Sequence, residues 1–90
     1  MYLHLDAGVI LKEKSIIGIF DLDNTTVTQK GRLYLSNKEK RGKIVSVTDK
    51  IPKSFVLYME NKEEKIYISK FATSTLLKRS LLENSKNINN

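Results

Sequence analysis

Ninety residues, 40% apolar and 29% charged, describe one globular domain with a modest core, near the size at which a chain gains stability by assembling with copies of itself. Sixteen Lys and Arg against ten Asp and Glu give a formal charge of +6, which favours a polyanionic partner, nucleic acid ahead of acidic proteins and anionic lipid. The absence of cysteine excludes disulfides, thiolate metal sites and a Cys nucleophile, and no apolar stretch approaches a membrane span.

Thirteen of the sixteen cations are Lys, and a composition rich in Lys, Ile and Asn also arises from an AT-rich genome, so charge alone does not name the partner. The first residues, MYLHLDAG, lack the basic and apolar regions of a secretory leader, and a cytoplasmic protein is expected. Tyr2 to Leu5 alternates, Asp6-Ala7-Gly8 is a turn, and Val9 to Leu11 is a second apolar run, which together predict a hairpin. Ser15 to Phe20 is the third strand; its Ile-Ile-Gly-Ile-Phe core predicts a central position with both faces covered.

Thr28 to Arg41 is read as a helix, weakened by Gly31 and ended by Gly42. Strands follow at Ile44 to Val47, Ser54 to Met59 and Lys65 to Ser69, the last two joined by a polar turn over Asn61 to Glu64. The only proline, Pro52, lies in the loop between the first two of these. Thr73 or Ser74 caps a helix over Thr75 to Glu83, on which Leu76, Leu77, Leu81 and Leu82 form one apolar stripe. A single domain over residues 1–83 is expected, with residues 84–90 a disordered Asn-rich tail. The fold class is α+β: a small, mostly antiparallel sheet of about six strands, one helix after the third strand and one at the C-terminus.

The stretch IIGIFDLDNTTV, Ile16 to Val27, has the look of a haloacid-dehalogenase-type phosphohydrolase motif, in which the first Asp attacks phosphorus and the second handles the proton. The other parts of such a site are missing. No later carboxylate pair stands at the end of an apolar strand to hold Mg²⁺, and the chain is short for the crossover helices of a doubly wound sheet. Asp21, Asp23, Asn24 and Thr25 are therefore expected to end a strand in a turn, with no catalytic role. His4, the only histidine, has no second ligand at metal spacing, and the four glycines form no phosphate cradle; no metal, cofactor or small-molecule substrate is expected.

The basic residues cluster at Lys38, Lys40, Arg41 and Lys43, at Lys50 and Lys53 around Pro52, and at Lys70, Lys78 and Arg79. Each cluster alone is more often a solvated surface than a binding site. Lys50-Ile51-Pro52-Lys53 differs in being a loop beside a strand, where long cations track phosphates while the sheet stays rigid.

Met1 to Leu5, Ile16 to Asp21, Pro52-Lys53-Ser54, Ile66 to Ser69 and the run Thr73 to Arg79 together resemble the RemB-type branch of the RemA/RemB family of bacterial extracellular matrix regulators. The resemblance spans nearly the whole chain up to Arg79. It implies a cytoplasmic regulator that binds double-stranded DNA and activates biofilm-matrix genes. From the RemA branch it also implies a ring-like homo-oligomer, with no membrane partner. RemA-type members carry an arginine-rich loop before the strand matching Ser54 to Met59; here that loop has Lys50 and Lys53, which meet phosphate as point charges and lack the fork that reads guanine. Lys50 and Lys53 are thus candidate DNA contacts, and Arg41 and Lys43, from the cluster at the end of the expected helix, are candidates as well. Lys78 and Arg79 are candidates too, although a Lys-Arg pair on a helix is equally compatible with a structural role.

Overall fold

The computed structural model describes residues 2–6 and 8–88, with side chains through Ser80; Met1, Ala7, Asn89 and Asn90 fall outside the described residues. Strands β1 (Tyr2–His4) and β2 (Ile10–Lys12) pair antiparallel with Leu3 opposite Leu11. Alternation buries Leu3 and Leu11 and turns Tyr2, His4, Ile10 and Lys12 outward. A 3-10 turn over Glu13–Ser15 leads into β3 (Ile16–Asp21). Two helices follow, α1 (Leu22–Thr26) and α2 (Gln29–Lys40), and then β4 (Ile44–Ser46), β5 (Ser54–Glu60), β6 (Glu63–Ser69) and α3 (Thr73–Ile88). The class is α+β, as the sequence indicates.

Among the described residues six strands divide between two sheets: the β1–β2 hairpin, and a four-stranded sheet ordered β3-β5-β6-β4. β5 and β6 form an antiparallel hairpin whose two turn residues, Asn61 and Lys62, have φ of 55° and 66°, the primed geometry that matches strand twist. β4 runs parallel to β6. Because β4 and β6 point the same way, the chain leaving β4 must cross the end of β6 to enter β5. That crossing is the segment Val47 to Lys53.

One face of the larger sheet, with Val56 and Tyr58, packs against Leu3, Leu5 and Leu11 of the N-terminal hairpin and Leu76 of α3. Each such side chain stabilises by about 1.5–3 kcal/mol on burial. The Lys12 amide donates to the Tyr58 hydroxyl at 3.2 Å, which ties the hairpin to the sheet, and Ser80 Oγ donates to Glu13 Oε1, which ties α3 to the 3-10 turn. On the opposite face lie Phe55 and Ile66, both buried, and Glu64, which meets Lys38 of α2.

Two expectations need correcting. β3 is an edge strand, not a central one: Ile16 and Ile19 pack on the core, but Ile17 sits at a bulge and is 57% exposed, and Phe20 is 42% exposed. Its apolar run is explained locally, since the Phe20 ring lies across Gly18, where a Cβ would be 2.6 Å from it, and stacks on Phe55 with centroids 5.2 Å apart. The turn expected after Asp21 is the short helix α1, with the Asp21 carboxylate as its N-cap, accepting from the Asn24 amide at 2.9 Å. The last helix, α3, spans Thr73–Ile88. Of the expected stripe on α3, Leu76 is fully buried and Leu77 half-exposed, while the side chains of Leu81 and Leu82 fall outside the described residues.

The helix after β3 does form as the sequence indicates, capped by Thr28 Oγ1, which accepts from the Gly31 amide at 3.0 Å, and ended at Gly42 with φ 70°. Gly31 weakens α2 for a reason: a Cβ there would lie 1.9 Å from the Thr25 carbonyl oxygen, so only glycine lets the two helices approach. Gly31→Ala is therefore expected to lower stability by about 1–3 kcal/mol, the usual cost of overpacking, in spite of alanine's better helix propensity. Urea unfolding monitored by circular dichroism measures it; an unchanged or raised midpoint would contradict the close approach.

Candidate functional site

The Val47–Lys53 crossover is held at several points along its length. The Val47 amide donates to the Ile68 carbonyl at 3.1 Å, Ser46 Oγ to the Thr48 carbonyl at 3.0 Å, and the Lys50 amide to Thr48 Oγ1 at 3.0 Å. At its far end the Lys53 amide donates to the Ser69 carbonyl at 2.9 Å, and the Lys53 carbonyl accepts from the Leu22 amide at 3.0 Å. The loop is thereby fixed to β6 and to the start of α1 together. Between these anchors Lys50, Ile51, Pro52 and Lys53 are all exposed.

Beside the loop, two fully buried serines shape the exit from β6. Ser54 and Ser69 face each other across the β5–β6 ladder; Ser54 Oγ donates to the Phe71 carbonyl at 2.6 Å, and the Phe71 amide donates to Ser69 Oγ at 3.1 Å. Both polar groups are satisfied, which is what allows them to be buried. The staple fixes Phe71, whose ring lies 4.1 Å from the Arg79 guanidinium and 5.3 Å from the Lys70 ammonium.

Ion pairing separates the cations. Lys12 pairs with Glu60 at 2.9 Å, a hydrogen bond that raises the lysine pKa above its ordinary value. Lys38 pairs with Glu64, Lys70 with Asp6 at 3.2 Å, and Lys43 with Glu63 at 3.8 Å. Burial, reinforced by the Glu64 carboxylate and partly offset by Lys38, pushes the Tyr34 hydroxyl up. Lys50, Lys53, Arg41 and Lys78 take part in no ion pair or side-chain hydrogen bond among the described residues. Their charge is available to a partner.

The structure brings Lys50 and Lys53 together and scatters the rest. Arg41 and Lys43 precede β4 whereas Lys50 follows it, so the strand separates them. Arg79 turns inward: its Nη1 donates to the carbonyls of His4 at 3.1 Å and Leu5 at 2.9 Å while the guanidinium covers Phe71, so it joins α3 to the N-terminal strand. Lys78, next to it, is exposed. His4 stands on the outer face of the hairpin. The Asp21 carboxylate is engaged in its cap, and no three His, Asp or Glu side chains come together as a metal site among the described residues. No helix among them is long and apolar enough to cross a membrane.

Two properties of residues named from the sequence were not legible there: Lys70, counted among the basic clusters, is engaged by Asp6, and Ile51, read as part of the loop, is 82% exposed.

No family model matches the chain. It is similar to the extracellular matrix regulatory protein B of Bacillus subtilis (strain 168), with 32% identity over 80 residues that cover 89% of this chain and 90% of the relative.

The inward contacts of Arg79 set it apart from Lys78. Arg79→Ala is expected to cost about 1.5–3 kcal/mol, as for hydrogen bonds from a charged donor, and Lys78→Ala less than about 0.5 kcal/mol. Thermal unfolding of the two variants compares them; equal, small effects would deny Arg79 its structural part.

Proposed function

The chain belongs to the RemB-type family of extracellular matrix regulatory proteins, and on that footing we propose that it is a DNA-binding transcriptional regulator of biofilm-matrix genes, acting in the cytoplasm as a homo-oligomer. The observation that carries the reading is the pairing of Lys50 and Lys53, exposed and without ion pairs among the described residues, on a backbone anchored at both ends. Lysines so placed neutralise phosphates at little ordering cost, because the backbone that bears them is already fixed. Arg41, at the other end of β4, and Lys78 on α3 are further exposed cations without ion pairs among the described residues. Double-stranded DNA is the partner; no catalysis, cofactor, small-molecule substrate or membrane contact is invoked.

Self-assembly has separate support in β3. Its outer edge pairs with no strand among the described residues, and it exposes Ile17 and Phe20. Such an edge invites another chain, and a second copy would cover apolar surface that a domain this small struggles to bury alone. Repetition of the loop around an oligomer would let weak phosphate contacts add through avidity. The same exposed edge is the observation that favours a second reading, an oligomeric platform for an acidic protein partner without DNA contact.

Titration of a fluorescent duplex at several salt concentrations tests the reading. Log affinity is expected to fall linearly with log salt, and Lys50→Glu with Lys53→Glu to reduce that slope by about two per copy engaged and to weaken all duplexes alike. The circular dichroism spectrum and oligomeric state should be unchanged. Unaltered affinity in the double variant would put the interface elsewhere; no binding by the wild type even at low salt would favour the platform.

A further inference from the structure

We propose that Ile51 is an intercalating wedge, which enters the minor groove between two stacked base pairs and kinks the duplex while Lys50 and Lys53 hold the flanking phosphates. The proposal rests on the DNA-binding reading above and adds to it how the loop engages the duplex.

Ile51 is 82% exposed, whereas no other isoleucine with a described side chain exceeds 57%. It stands on no helix or strand, and it makes no hydrogen bond among the described residues. Its apolar surface thus faces water on a loop that also carries Asp49, Lys50 and Lys53. A wedge must also be stiff, or it folds aside when pushed against a base stack. Pro52 fixes the backbone immediately after Ile51, the Lys50 amide is held by Thr48 Oγ1, and the Lys53 peptide is held on both sides, by Ser69 and by Leu22. Flexibility is removed from both flanks of one exposed side chain.

The dimensions and charge agree with a groove. Lys50 and Lys53 are three residues apart, at most about 10 Å along an extended chain, and the minor groove is about 6 Å wide, so lysines flanking an inserted Ile51 reach the phosphates on either wall. Apolar side chains of this kind, Ile and Pro among them, unstack base steps when basic residues anchor the backbone beside them. A bilayer is a poorer match, because even a whole myristoyl chain gives only marginal membrane binding and one isoleucine buries far less.

The test compares an intact duplex with the same duplex carrying a central mismatch, where unstacking is already part-achieved, and places 2-aminopurine beside that step to report loss of stacking. The wild type is expected to bind the mismatched duplex about ten-fold more tightly and to brighten the probe in the intact one. Ile51→Ala should bind both duplexes equally, with the salt slope unchanged because both lysines remain, and leave the probe dark. Salt-dependent wild-type binding with no mismatch preference and no brightening would overturn the wedge and leave the DNA-binding reading standing. Equal brightening by Ile51→Ala would overturn it as well, and no wild-type binding to either duplex would remove both. Co-sedimentation with phosphatidylserine-containing vesicles that depends on Ile51, with duplex behaviour independent of it, would overturn it in favour of a membrane surface.

Discussion

The Lys53 peptide is the junction on which the site depends. Its amide donates to Ser69 at the end of β6, and its carbonyl accepts from Leu22 at the start of α1. The parallel alignment of β4 with β6 makes that junction necessary, since the chain can enter β5 only by crossing the end of β6. A free loop of the same composition would offer the same charge with no fixed spacing. Here topology determines where the lysines stand, and local hydrogen bonds determine how rigidly.

Ion pairs engage four of the lysines with described side chains, Lys12, Lys38, Lys43 and Lys70. At the hairpin end of the sheet Glu60, Glu63 and Glu64 engage Lys12, Lys43 and Lys38, so that end presents mixed charge despite its lysine content. At the opposite end Asp6 takes Lys70 and the Asp21 carboxylate is turned into its own helix cap. The more exposed of these pairs, Lys12–Glu60 and Lys43–Glu63, contribute little stability. Their consequence is electrostatic: they cancel local fields elsewhere and leave Lys50 and Lys53, on a loop that also carries Asp49, anchored and without an ion pair among the described residues.

Much of this was legible in the sequence where a local pattern decides the outcome. Alternation located both hairpins, the pair Thr28 and Gly42 bounded α2, and the segment around Pro52 was recognised as the loop that bears Lys50 and Lys53. What failed depends on neighbours distant in sequence. The apolar run Ile16 to Phe20 reads as a buried central strand, because nothing local reveals that Phe20 covers Gly18 and stacks on Phe55 at a sheet edge. Asp21 reads as a strand-ending turn residue and equally as a helix cap, two uses of one side-chain hydrogen bond. Arg79 and Lys78 are adjacent and chemically alike, and only the position of His4, Leu5 and Phe71 sends one inward and leaves the other in water. The parallel β4 could not be read from a three-residue strand at all.

The central claim is that Lys50 and Lys53 lie against DNA. Acetylation footprinting of the native protein, read lysine by lysine with and without a saturating duplex, tests it most directly. Lys50 and Lys53 should become protected while Lys62, in the turn at the far end of the sheet, reacts at the same rate in both states. Full reactivity of Lys50 and Lys53 with duplex bound, or protection concentrated at Lys62, would contradict it.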